Sequence, residues 1–348
     1  MGKFDFRAIG IAVVLGTIGG AIFKYLTVPL PWMLGAMCFT TIAAMSGVKV
    51  AMPRQLRNGF VTILGVLLGS GFTPAVLGRM GEWVFTLAAL IVWVFVAGGV
   101  AYVYLRRVAK HDRTTAFFGA TPGGLAEMTL VGSQYGADPR VLSLIHTVRV
   151  MATVLIVPIW FRLEGLVGPL PAKATIGILE VALRDYGILA ACAVVGAFIG
   201  IKFRLPAGTM LGPMAVSMAV HIGGFSEAQP PYEIVAAAQI VLGCAIGQRF
   251  AGSKLSVIAR HASHGFVVTM IMLGLAILFA AVMARVTPES FEALVLAYAP
   301  GGFAEMSLVA LALSVDSALV AAHHLFRIIF IITLAPLIFR RGVMKSST

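Results

Sequence analysis

Residues 122–128 read PGGLAEM, and residues 300–306 read PGGFAEM. The heptapeptide is written twice, 178 residues apart, each time within a strongly apolar stretch. Proline has no N–H to donate and its ring clashes with the preceding helical turn, and glycine is the next poorest helix residue. Pro122-Gly123-Gly124 and Pro300-Gly301-Gly302 should therefore each open the backbone. What such an opening means depends on the solvent around it.

That solvent is lipid. Of 348 residues, 59% are hydrophobic and only 11% charged, with a mean hydropathy of +0.98. A soluble domain carries about 25% charged residues, so this chain cannot cover a water-facing surface. Apolar runs of about 20 residues, the length that crosses a bilayer as a helix, recur from end to end. The short alternating segments of a membrane β-barrel do not. The expected class is an all-α polytopic membrane protein.

The net charge of +12 is distributed among loops and forms no compact basic domain. It reads as a determinant of topology and not as a nucleic-acid surface. Cys38, Cys192 and Cys244 stand alone in apolar segments, without the spacing of a disulfide or zinc framework. The first apolar run, after Lys3 and Arg7, is followed at once by others and reads as an uncleaved first helix.

Apolar segments fall at about residues 8–25, 29–46, 59–77, 83–105, 114–136 and 139–161. A mixed stretch with Pro169, Pro171, Lys173 and Glu180 follows, and the series restarts at about 186–203, 206–222, 234–250, 264–284, 293–314 and 317–339. At the constant offset, residues 122–162 match 300–340 at 14 of 41 positions, including Asp138/Asp316, His146/His324, Arg149/Arg327 and Pro158/Pro336. ILGVLLGSGF at 63–72 matches VLGCAIGQRF at 241–250, and LPWMLGAM at 30–37 echoes LPAGTMLGPM at 205–214. A duplication explains this order: a first repeat over 1–163, a connecting segment over 164–185 and a second repeat over 186–341.

Two topologies follow from the PGG segments. If they cross the membrane, each repeat has six spans and the repeats run parallel. If they enter and leave on one side, each has about five spans and the repeats are inverted. The inverted arrangement puts 17 of the 26 Lys and Arg inside and 6 outside (Lys24, Arg79, Arg162, Lys173, Arg184 and Arg285). Arg140 sits at an inner helix end, and Arg149 and Arg327 lie within apolar segments. The parallel arrangement puts the cluster Arg249, Lys254, Arg260 outside. The positive-inside rule thus selects two inverted repeats, ten spans plus two broken or re-entrant segments, and both termini cytoplasmic.

Broken backbone at membrane depth persists only where protein or a water-filled cavity satisfies it. After each break, LAEM and FAEM can resume a helix whose N-terminus carries free N–H groups and partial positive charge. Glu127 and Glu305 sit in that first turn. Inverted repeats with discontinuous helices around a midplane site are the common plan of secondary transporters. Simple capping by the glutamates is the plainer alternative, but Ser or Thr caps without the cost of an intramembrane carboxylate, about 2.5 kcal/mol or more.

Arg149 and Arg327 are candidate partners for Glu127 and Glu305, or ligands for an anionic group. His146 and His324 precede them by three residues and share their helix face. They could relay protons or only bond a neighbouring helix. Asp138 and Asp316 read as N-caps, with Pro139 at a first helical position. GVLLG at 65–69 and GCAIG at 243–247 read as close helix packing. His261 and His264 are spaced to hold a metal, but a lone pair is poor evidence. The candidate site is therefore Glu127, Glu305, Arg149, Arg327, His146, His324, Gly123, Gly124, Gly301 and Gly302, with Pro122 and Pro300 as helix breaks. It contains no catalytic group and calls for no metal or cofactor.

With the doubled PGGxAEM and the duplicated helix bearing Asp, His and Arg, the chain resembles the AbrB family of bacterial integral membrane proteins. That family is defined by a tandem membrane duplication, and the resemblance covers essentially the whole chain. It implies a bacterial inner-membrane location but supplies no substrate and no site residue. Members carry conflicting labels: ammonia monooxygenase, regulator of gene expression and transporter. The family shares its name with a small DNA-binding regulator that this chain cannot be. Three functions stand in order. First is an ion-gradient-driven transporter of a small solute, with anions among the candidates, whose partners are the bilayer, that solute and a coupling ion. Second is a membrane sensor affecting gene expression. Third is a monooxygenase-like enzyme, which would want more convergent histidine ligands than the core holds. A homo-oligomer is compatible with each.

Overall fold

A computed structural model describes residues 5–166, 177–251 and 255–343, with the side chains of 255–260 and 343 outside that description. Lys3, Lys173, Lys254 and Lys345, the side chain of Arg260, both chain ends, and Pro169 and Pro171 of the connecting segment also lie outside it.

The described residues are helical throughout, with no strand among them. The first half contains α1 (Phe6–Tyr25), α2 (Pro31–Met45), α3 (Arg54–Ser70), α4 (Pro74–Arg79), α5 (Trp83–Arg107), α6 (Arg113–Ala120), α7 (Leu125–Gln134) and α8 (Pro139–Leu163). The second contains α9 (Leu183–Lys202), α10 (Gly208–Ile222), α11 (Tyr232–Gly247), α12 (Leu255–Val286), α13 (Phe291–Tyr298), α14 (Phe303–Ala312) and α15 (Ser317–Ile338). Seven helical stretches among the described residues are long and apolar enough to cross a membrane. With the family match reported below, they make this an all-α polytopic membrane protein.

Three expected spans are shorter than a bilayer crossing of about 20 residues. α3 has 17 residues, and α2 and α10 have 15 each. For α2 and α10 the start of the helix is fixed locally. Leu30 and Ala207, the residues before α2 and α10, adopt left-handed backbone with φ of 49° and 48°. A non-glycine residue there costs about 1–2 kcal/mol, so tertiary packing must hold both turns.

The chain forms two compact units, each drawing on both halves of the sequence. One gathers Met1–Arg79, Arg162–Ser253 and Ser307–Ala318. In it, small residues let backbones touch. A Cβ on Gly35 would run into the carbonyl of Gly19, and one on Gly200 into that of Gly208, so α1 lies against α2 and α9 against α10 at backbone distance. The two GxxxG stripes do the same across the halves. Gly65 and Gly69 of α3 face the carbonyls of Met210 and Met214 on α10. Gly243 of α11 faces the carbonyl of Met33 on α2, and Gly247 faces the Thr40 hydroxyl. Polar contacts fix the register: Thr62 Oγ1 donates to the Thr209 carbonyl at 2.9 Å, and Trp32 Nε1 to Tyr232 Oη at 2.7 Å.

The other unit gathers Met80–Phe161, Lys254–Met306 and Leu319–Thr348. It contains α5, α6, α8, α12, α13, α15 and both PGG segments. The caps that start its short helices repeat as well. Asp112 Oδ1 accepts from Thr115 N at 2.9 Å to start α6, and Ser290 Oγ accepts from Ala293 N at 3.2 Å to start α13.

Candidate functional site

Each PGG stops one helix and starts another. α6 ends at Ala120 and α7 begins at Leu125; α13 ends at Tyr298 and α14 begins at Phe303. A helix end leaves carbonyls without partners, and within a membrane no bulk water can serve them. The buried arginines serve them instead. Arg149 on α8 donates from Nη1 to the Thr121 carbonyl at 3.0 Å and from Nη2 to the Gly123 carbonyl at 2.6 Å. Arg327 on α15 donates from Nη1 to the Ala299 carbonyl at 2.7 Å and from Nη2 to the Gly301 carbonyl at 2.9 Å. The four acceptors are pairwise equivalent at the repeat offset. A planar guanidinium presents two terminal nitrogens to two such carbonyls in a fixed fork that a lysine ammonium lacks.

The glutamates sit on the other side of the break. Glu127 and Glu305 occupy the third position of α7 and α14. Their carboxylates fold back over the second glycine of the motif. A Cβ on Gly124 would overlap Oε2 of Glu127 and lie 2.9 Å from its Cδ, and a Cβ on Gly302 would meet Glu305 in the same way. Negative charge thus lies at a helix N-terminus, where the macrodipole favours it. The first glycine makes room for the methionine of AEM. A Cβ on Gly123 would lie 2.8 Å from Met128 Cγ, and one on Gly301 2.7 Å from Met306 Sδ. Each glycine of the heptapeptide therefore has a local reason.

Sequence alone offered Glu127 and Glu305 as ion-pair partners of the arginines. In the structure the terminal nitrogens of both arginines are directed to carbonyls. Arg and Glu are brought to opposite sides of each break, and each charge faces the helix end of opposite sign.

The histidines differ between the copies. His324 receives a hydrogen bond from Arg327 Nη2 on its Nδ1 at 3.0 Å, and its Nε2 bonds the Leu296 carbonyl at 2.9 Å. His146 is equally buried, but neither ring nitrogen has a hydrogen-bond partner.

The aspartates are N-caps. Asp138 Oδ1 accepts from Arg140 N at 2.8 Å, and Asp316 Oδ1 from Ala318 N at 3.1 Å, with Arg79 3.7 Å from its other oxygen. His261 stacks on His111, and Tyr104 Oη bonds His264 Nδ1 at 3.0 Å. Among the described residues, no group of three or more His, Cys, Asp or Glu is arranged to hold a metal.

One polar network escaped the repeat comparison. His323 Nε2 bonds Thr86 Oγ1 at 2.9 Å, and Tyr298 Oη donates to the Thr86 carbonyl at 3.0 Å, tying α5, α13 and α15 together. The available signal was the residue before His324, which stands opposite Ile145 in the first copy.

The comparisons with known proteins extend over nearly all of this structure. A Bacillus subtilis (strain 168) protein named "Uncharacterized protein YhjN" is 27% identical over 94% of this chain and 91% of its own length. An Escherichia coli (strain K12) protein named "Putative regulator AbrB" is 26% identical over 95% of each chain. Neither name carries an enzymatic activity. The profile of the family described as "Transition state regulatory protein AbrB" matches residues 32–342, which include both heptapeptides and both arginine helices. The chain therefore belongs to the AbrB family of membrane proteins.

Proposed function

We propose that this protein is an ion-gradient-driven secondary transporter of a small solute, with its site at the two PGGxAEM breaks near the bilayer midplane. The observation that carries the reading is the twice-built break. Two helix breaks, each with a buried arginine on one side and a carboxylate on the other, lie in one compact unit. Discontinuous helices at membrane depth are a recurring device for binding solutes and coupling ions. Intramembrane charges are costly and mark pathways more often than scaffolds. On this reading the protein lies in a bacterial inner membrane with ten spans, two inverted repeats over 1–163 and 186–341, and both ends cytoplasmic. Glu127 and Glu305 carry the coupling proton or cation.

The test is uptake into proteoliposomes under an imposed pH or sodium gradient, for compounds that raise the melting temperature of the purified protein. Glu127→Gln and Glu305→Gln should fold and lose gradient dependence. Absence of gradient-driven flux for every stabilising compound overturns the transporter reading. A second reading, a membrane sensor acting on gene expression, draws on the name of the Escherichia coli relative. A soluble partner captured by the purified protein, without flux, would favour it.

A further inference from the structure

The two breaks are built alike but are not equally satisfied. Among the described residues, five of the buried polar side-chain atoms without a hydrogen-bond partner lie on α7 and α8, namely Thr129 Oγ1, both ring nitrogens of His146, Thr147 Oγ1 and Arg149 Nε, while others lie on Trp83, Trp93, His261 and Arg327. Their counterparts in the second copy are mostly accounted for. His324 is bonded on both nitrogens, Ser307 is partnered, and position 325 is Leu where the first copy has Thr147. Only Arg327 Nε remains. Native interiors leave few polar groups unpaired, and each such group costs about 1–3 kcal/mol. A concentration of them on two helices at one break calls for a polar occupant.

A cavity adjoins the same break. It measures about 280 Å³ and is walled by Phe95 and Tyr102 of α5, Phe117 of α6, Phe330 of α15, and Thr121 and Pro122 of the break itself. No residue of the second break lines it. Its wall is almost wholly apolar, and it includes Thr121, the residue whose carbonyl accepts from Arg149.

We infer that the first break is the solute-binding half of the protein and the second its structural counterpart, and that the solute is an organic carboxylate with an apolar body. The carboxylate is taken by Arg149 and His146, where a cationic group and unpaired imidazole nitrogens share one helix face. The apolar body occupies the cavity beside Thr121 and Pro122. This rests on the reading of the breaks as a solute site and adds to it the copy used and the class of substrate.

The experiment uses the full chain in detergent, with acetate, butyrate, benzoate, inorganic phosphate and ammonium as probes. Butyrate and benzoate should bind more tightly than acetate, and all three more tightly than phosphate or ammonium. His146→Gln should weaken benzoate about tenfold or more, the loss of one hydrogen bond to a charged group, without lowering the melting temperature of the unliganded protein. His324→Gln should lower that melting temperature, because its two bonds are structural. Gly98→Leu fills the cavity from α5, where a Cβ meets only ordinary contacts at 3.8 Å. It should remove the advantage of benzoate over acetate, and it tests the inference even if His146→Gln fails to fold. Preference for phosphate or ammonium, or benzoate binding indifferent to both His146→Gln and Gly98→Leu, overturns the inference. Gradient-driven uptake is measured separately. Carboxylate binding without uptake removes the transporter reading and keeps this one, and cation uptake without carboxylate binding does the reverse.

Discussion

Arg327 donates through Nη2 to Nδ1 of His324 at 3.0 Å. That nitrogen must therefore be the unprotonated one, which leaves Nε2–H to donate to the Leu296 carbonyl. The arginine thus sets the tautomer of the histidine, and together they hold three carbonyls at the end of α13. In the first copy the arginine keeps its two carbonyls but has no such bond to His146.

The second break should consequently depend more on its arginine than the first. Arg327→Gln should cost about 3–5 kcal/mol, the range for disrupting a buried charged network. Arg149→Gln should cost less, because one fewer bond is lost. Equilibrium unfolding of the two variants in the same detergent measures the difference.

Glu127 and Arg149 should act independently on stability. The guanidinium holds the Thr121 and Gly123 carbonyls, and the carboxylate lies over Gly124. With separate partners, the cycle of Glu127→Gln and Arg149→Gln should show a coupling below about 1 kcal/mol. A double variant clearly more stable than Arg149→Gln alone would mean that the two charges do pair.

The second glycine should be coupled to the glutamate. Gly302→Ala places a methyl group on the Glu305 carboxylate. The flexible side chain can swing away, so the loss should be modest, about 1 kcal/mol. Adding Glu305→Ala removes the clash, and the double variant should be more stable than the sum of the single losses predicts. Simple additivity would show that the carboxylate does not rest on this glycine.

Close backbone packing predicts a contrast between two glycines. Gly35→Ala drives a methyl group into the Gly19 backbone and should cost about 1–3 kcal/mol, as over-packing does. Gly99→Ala meets nothing within 4 Å and should be neutral or slightly stabilising through helix propensity. Melting temperatures in one detergent compare them directly.

The proposed orientation is testable by labelling. A membrane-impermeant thiol reagent added outside intact cells should modify Glu227→Cys and spare Lys110→Cys. The reverse pattern would invert the topology, and labelling of both would contradict it.

Composition and periodicity were sufficient for the class and the two helix breaks. Both rest on local chemistry: apolar length, and the inability of Pro-Gly-Gly to continue a helix. The caps at Asp138 and Asp316 were legible for the same reason, since a cap bonds residues two or three positions away. Partner choice over longer distances was not. From the sequence Arg149 could pair with Glu127 or take an anionic group, and its bonds to the Thr121 and Gly123 carbonyls were not foreseen, because nothing in the residue order says what lies within reach of its fork. The GxxxG stripes announced close packing, but only the fold decided that α3 takes α10 and α11 takes α2. The difference between His146 and His324 was likewise invisible in two identical residues at identical spacing. It arises because a hydrogen bond needs atoms within a few tenths of an ångström of ideal separation, and the surrounding packing achieves that in one copy and not in the other.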